Sequence, residues 1–137
     1  MIITQKYIND TAYAIVGCAI EVHRHLGPGL LESVYQTCLV DELNRYDFNV
    51  QPQVWVPVIY KEKILDSTLK LDILVNDLII VELKAQENMI PLYKAQLLSY
   101  LKLTNKPKGL LINFHTESII KDLVTLVTES FSKLAKA

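Results

Sequence analysis

Between Asp72 and Lys84 the chain reads Asp-Ile-Leu-Val-Asn-Asp-Leu-Ile-Ile-Val-Glu-Leu-Lys. Asp72, Glu82 and Lys84 stand there among Leu, Ile and Val. A carboxylate in such a setting is costly unless something neutralises it. A divalent cation would do so. A cation held by two carboxylates beside a lysine is suited to phosphodiester chemistry.

Strand alternation tests whether these groups can meet. A two-residue turn at Asn76-Asp77 would put Asp72 and Glu82 on opposite faces. A three-residue turn, Asn76-Asp77-Leu78, pairs Val75 with Ile79, Ile73 with Val81 and Leu71 with Leu83. All of these apolar residues then share one face, as a buried sheet requires. The same register sets Asp72 across from Glu82 and Lys70 across from Lys84. Like charges directly opposite are destabilising, and a shared cation would remove that penalty. The plainer alternative is diagonal ion pairing, Lys70 with Glu82 and Asp72 with Lys84, on a solvated face. Leu74 and Ile80 on that face count against it.

Other polar residues carry weaker signals. Glu32 lies in the first turn of a helix, where the dipole favours a carboxylate; its sharper reading is a third acidic group at the cation. Tyr35 and Gln36 lie one turn further on, and Tyr35 has the ordinary reading of a packing residue. Gln96 is flanked by Tyr93 and Tyr100, and reads as solvated or as orienting water or phosphate. His23 and His25 match no metal spacing and suit a helix C-terminus. His115 is a lone loop histidine. Lys102, Lys106 and Lys108 form either a solvated surface or a small phosphate-facing patch.

These residues need elements to hold them. Apolar spacing predicts a helix over 9–26, with Ile8, Ala12, Ile15, Ala19, Val22 and Leu26 on its apolar face. Gly27-Pro28-Gly29 interrupts it. A second helix is expected over 30–46, with Val34, Tyr35, Cys38, Leu39 and Leu43 inward. Strands follow over 50–60, edge-like or irregular because of Pro52 and Pro57, over 64–75 with a bulge near Asp66-Ser67, and over 78–84. Lys61-Glu62-Lys63 is read as a turn. Pro91 opens a helix to about Leu103. Residues 106–109 are expected as a loop and 110–114 as a buried strand. The tail from Ile119 fits a helix or a strand; a strand followed by a short terminal helix is favoured.

At 137 residues and 50% hydrophobic content, one domain with a real core is expected. No apolar run reaches bilayer length and no leader pattern opens the chain, so a cytoplasmic protein without membrane contact is expected. Cys18 and Cys38 fit no zinc spacing and are read as buried free thiols. A net charge of −1 requires any nucleic-acid partner to meet a local patch rather than a global field.

A family resemblance rests on ordered motifs. Gly29-Leu-Leu-Glu32-Ser-Val-Tyr35 has the form GxxExxY. It follows Glu21-Val-His-Arg-His-Leu-Gly-Pro-Gly29 and precedes Val81-Glu-Leu-Lys-Ala85, Gln96-Leu-Leu-Ser-Tyr-Leu101 and Gly109-Leu-Leu-Ile-Asn-Phe114. The chain resembles the GxxExxY protein family, a compact branch of the PD-(D/E)XK nuclease-like superfamily, from about Asp10 to Val124. The resemblance implies an α/β fold with a restriction-endonuclease-like core, a central mixed β-sheet flanked by α-helices. It implies catalytic Glu32, Asp72, Glu82 and Lys84, supported by Tyr35, Lys70 and Gln96. Lys70 stands where many relatives would carry arginine. The implied Mg²⁺ (or Mn²⁺) is held by Asp72, Glu82 and the Leu83 carbonyl, with Glu32 assisting directly or through water. The implied activity is metal-dependent hydrolysis of nucleic acid, DNA before RNA. A nuclease-like fold serving as a binding or regulatory module is the alternative, and a homodimer or protein partner stays open.

Overall fold

The computed structural model describes residues 2–66 and 69–137. Thr4 sets where the first helix begins. Its hydroxyl accepts the Tyr7 amide at 3.0 Å, so α1 (Gln5–Leu26) starts four residues before the apolar pattern suggests. Ile8, Ala12, Ile15, Ala19 and Val22 form the buried stripe, while Leu26 is exposed at the helix end. Gly27 and Gly29 then take φ of +68° and +101°, values that favour glycine. The second helix, α2 (Glu32–Asn44), buries Tyr35, Leu39 and Leu43. Cys38 is half-buried, and Val34, expected inward, is exposed. Residue 34 sits a hundred degrees from residue 35 on a helix, off the stripe repeating every four residues.

The long strand expected over 50–60 is divided. Pro57, which lacks an N–H, separates β1 (Val50–Trp55) from β2 (Val58–Tyr60). Lys61 and Glu62 make a turn with φ of +48° and +68°, and Lys63 already belongs to β3 (Lys63–Leu65). β2 and β3 form a two-stranded ribbon apart from the main sheet. The second long strand is likewise divided, β4 being Lys70–Val75. The expected bulge falls partly on Ser67, outside the described residues.

The turn from β4 to β5 (Ile79–Lys84) has the odd length inferred above. Val75 pairs with Ile79 and Ile73 with Val81. Asn76 and Asp77 hold φ of +54° and +56°, a conformation these two residue types tolerate well. α3 (Pro91–Thr104) then crosses over the sheet, and β6 (Lys108–Asn113) returns parallel to β5. Lys108 and Gly109 thus belong to a strand rather than to a loop. A Cβ on Gly109 would lie 2.9 Å from Leu97 Cδ1, so glycine lets α3 approach β6 this closely. Lys108 is neither a solvated nor a phosphate-facing residue. It is buried, it donates to Asn9 Oδ1 at 2.8 Å, and burial lowers its pKa.

The tail contains α4 (Ile119–Asp122), β7 (Val124–Val127) and α5 (Glu129–Ser132). The favoured strand therefore begins after, not at, Ile119. Ile119 is buried against the core while Ile120 is exposed, so the two apolar neighbours do different jobs. The five-stranded sheet has the order β1-β4-β5-β6-β7, with only β5 and β6 parallel. It is a mixed sheet with α1 and α2 on one face and α3 on the other. Among the described residues, no helix is long and apolar enough to cross a membrane.

One expected feature of β4 is corrected. Leu71, Ile73 and Val75 do not share a face. Ile73 and Val75 pack with α1 and α2, whereas Leu71 joins Val56, Leu74, Ile80 and the α3 residues. The change of side falls at Asp72. On the neighbouring strand, Gln53 lies at that level with φ of +53°. A left-handed residue breaks the two-residue alternation of its strand, and there Val54, like Leu71, also packs into the α3 cluster.

Candidate active site

The ladder between β4 and β5 stops at Ile73–Val81. Beyond it, carboxylates replace backbone partners. The Asp72 amide donates to Glu82 Oε1 at 3.3 Å, and the Leu83 amide donates to Asp72 Oδ2 at 2.8 Å. Each carboxylate spends one oxygen on the opposite strand and carries a second. The Leu71–Leu83 pairing is thereby displaced. Because a strand residue presents its N–H and C=O to the same side, the Leu83 carbonyl also opens toward β4.

Glu82 is 9% exposed. Burial and the adjacent Asp72 push its carboxyl up to about 9, and Lys84 offsets only part of this. A buried carboxyl beside another carboxylate keeps its proton unless positive charge arrives. Glu32 is the first residue of α2 and is half-buried. Burial raises its pKa, Asp72 raises it further, and Lys84 opposes both. The helix terminus thus brings Glu32 into the field of the same two residues.

Lys84 lies at the end of β5 with its amine 4.4 Å from the Tyr93 ring centre. Lys70 does not face it. Lys70 is exposed and lies 4.5 Å from the Trp55 ring centre on β1, its register partner. The diagonal ion pairs considered above are not formed among the described residues.

Tyr35 is fully buried and stacks on Phe114 with ring centres 4.5 Å apart. Its hydroxyl donates to the Gly27 carbonyl at 2.5 Å and accepts the Leu30 amide at 3.2 Å. It therefore fastens the glycine loop that delivers Glu32. Gln96 is exposed and lies one turn before Tyr100 on α3. That tyrosine has its pKa raised by burial and by Glu82. His23 bonds the Thr116 carbonyl and His25 the Glu21 carbonyl, both within ordinary distance. Cys18 and Cys38 are free thiols.

Sequence reasoning passed over three residues around this centre. Tyr100 and Tyr93 served above only as neighbours of Gln96, although their spacing placed them on its side of the helix. Asn113 is wholly buried; its side chain accepts the Gln86 amide and donates to the Gln86 carbonyl, at 3.1 and 2.8 Å. It holds the segment that leaves β5 just past Lys84. An asparagine ending an apolar strand was the available signal.

With this geometry established, comparison with known proteins gives one positive result. Residues 9–124 match the family model of the PD-(D/E)XK nuclease superfamily. The chain belongs to that superfamily, and its fold is the α/β, restriction-endonuclease-like arrangement of mixed sheet and flanking helices. No curated protein and no solved structure matched the chain.

Among the described residues, no three acidic, histidine or cysteine side chains gather into a cage. What is assembled is a pair of carboxylates with a carbonyl on the same side. Hard oxygen donors of this number suit Mg²⁺, which keeps several of its waters.

Proposed function

We propose that this protein is a Mg²⁺- or Mn²⁺-dependent nuclease that hydrolyses phosphodiester bonds, DNA in preference to RNA. The observation that carries the reading is the open end of the β4–β5 ladder. Two carboxylates meet there, one of them with its pKa raised by burial and by the other, with Lys84 beside them. Such a pair is expensive to keep in a protein unless a cation occupies it. Asp72, Glu82 and the Leu83 carbonyl would hold the ion, with Glu32 assisting directly or through water. Bound there, it would supply Lewis acidity toward the phosphate and a lowered pKa for water.

The chain's own residues do the rest. Lys84 positions the attacking water or offsets charge in the transition state. Glu82 would give up its proton on binding the cation. Tyr35 keeps the loop before Glu32 in place, and Gln96 with Tyr100 lines the approach from α3. The narrower GxxExxY assignment rests on the ordered motifs.

A cleavage panel tests this reading. DNA and RNA, single- and double-stranded, are incubated with the protein and Mg²⁺ or Mn²⁺. Asp72→Ala, Glu82→Ala and Lys84→Ala are each expected to lower cleavage at least about 100-fold. Equal activity in wild type and all three variants would sink it. The second reading, a binding module on a nuclease fold, is favoured by the absence of a three-side-chain cage among the described residues. Calorimetry showing no Mg²⁺ or Mn²⁺ binding would select it.

A further inference from the structure

Beside the carboxylate pair, β4 and β1 present a feature that hydrolysis alone does not require. Trp55 is the only tryptophan in the chain and is 58% exposed. An exposed indole forgoes much of the burial energy that tryptophan offers. Its ring carries the Lys70 amine at 4.5 Å. Lys70 is two residues before Asp72, and Leu71 between them is buried. Lys70 therefore leaves the strand on the side away from Leu71, and two residues on, where the alternation breaks, the Asp72 carboxylate reaches the Leu83 amide of β5. Along a strand, two residues advance about 6.6 Å, comparable to one nucleotide of an extended strand.

The pairing of an ammonium group with an aromatic ring recurs. At the site itself Lys84 lies over Tyr93 at 4.4 Å. On the β2–β3 ribbon Lys61 lies 5.5 Å from the ring centre of Tyr60, which is also 58% exposed. Aromatic faces next to ammonium groups are what an unpaired nucleotide needs: a surface for the base and a cation for the phosphate. A duplex offers no free base faces. It is met instead by broad positive charge, which a chain of net charge −1 does not have.

We infer that Trp55 and Lys70 form a stacking subsite for a single-stranded segment of the nucleic acid, about one nucleotide from the carboxylate pair. This rests on the nuclease-fold reading above and specifies the form of its substrate. The strand passes Trp55 with a base on the indole and a phosphate at Lys70. The next phosphate then falls between Asp72, Glu82 and Lys84. Apolar protein partners could also cover an exposed tryptophan, but they would not call for a lysine at each ring.

The single tryptophan makes the test direct. The full chain is titrated in EDTA, which prevents metal-dependent cleavage, with short oligothymidylate, oligouridylate and a blunt duplex of equal length. Single strands are expected to quench the Trp55 emission saturably, and the duplex to do so far more weakly. By anisotropy of a labelled oligothymidylate, Trp55→Ala should weaken binding by roughly tenfold or more. Trp55→Phe should retain most of the affinity, and Lys70→Ala should lose affinity with a shallower salt dependence. Circular dichroism checks that each variant is folded. Unquenched emission, or equal affinity of wild type and Trp55→Ala, would overturn the subsite. Cleavage is read separately. Intact cleavage with unchanged affinity in Trp55→Ala removes this inference alone, and stacking without any cleavage removes the nuclease reading alone.

Discussion

Glu82 shows how a single residue can couple a site to pH. Its carboxyl is shifted from the ordinary glutamate range up to about 9 by burial and by Asp72. In the unfolded chain it ionises near its usual value. Between those two values the folded state holds the extra proton, so the stability of the metal-free protein falls as pH rises through that window. The slope from this group is at most about 1.4 kcal/mol per pH unit. Urea denaturation across pH should show the decline, Glu82→Gln should flatten it, and saturating Mg²⁺ should flatten it as well. The same proton must leave on loading, so metal affinity should increase with pH. Tyr35 gives a second prediction at this scale. Tyr35→Phe keeps the stack on Phe114 but removes both loop bonds of the hydroxyl. A loss of about 1–3 kcal/mol is expected in denaturant melts, with a fall in cleavage because the loop before Glu32 is loosened.

At the scale of elements, the closeness of α3 to β6 depends on Gly109. Any Cβ there meets Leu97 and Leu101. Gly109→Ala should destabilise by about 1–3 kcal/mol, and pairing it with Leu97→Ala should recover part of that loss, which a double-mutant cycle measures. The β4–β5 turn is the other deciding element. Its three residues were legible because only an odd turn keeps Ile73, Val75, Ile79 and Val81 on one face. The same reasoning failed at Leu71. Pattern assumes unbroken alternation, and the positive φ of Gln53 beside Asp72 breaks it. Pro57 also divided the first long strand, since a run of β-branched residues records propensity but not where a ladder ends.

For the whole molecule, the near-neutral charge limits how nucleic acid can be held. If Lys61, Lys70 and Lys84 meet phosphates, the slope of log affinity against log salt should be only about −2, at ~0.7 per phosphate for a single strand. A much steeper slope would point to a wider basic surface. Helices on both faces give the sheet two cores, and the candidate site sits where β4 and β5 part between them. Glu32 from α2 and Tyr100 from α3 can then both feel the carboxylates.

The α/β class was implied by the family resemblance, while the sequence by itself determined the helices around Ile15 and Leu97, the odd turn and the closeness of Asp72 to Glu82. These follow from periodicity and register, which act over a few residues and are written locally. The tertiary structure decided that Lys70 turns to Trp55 rather than Lys84, that Lys108 is buried against Asn9, and that Leu71 crosses to the other core. Each depends on a partner brought near only by folding, and on a backbone angle that no local pattern records.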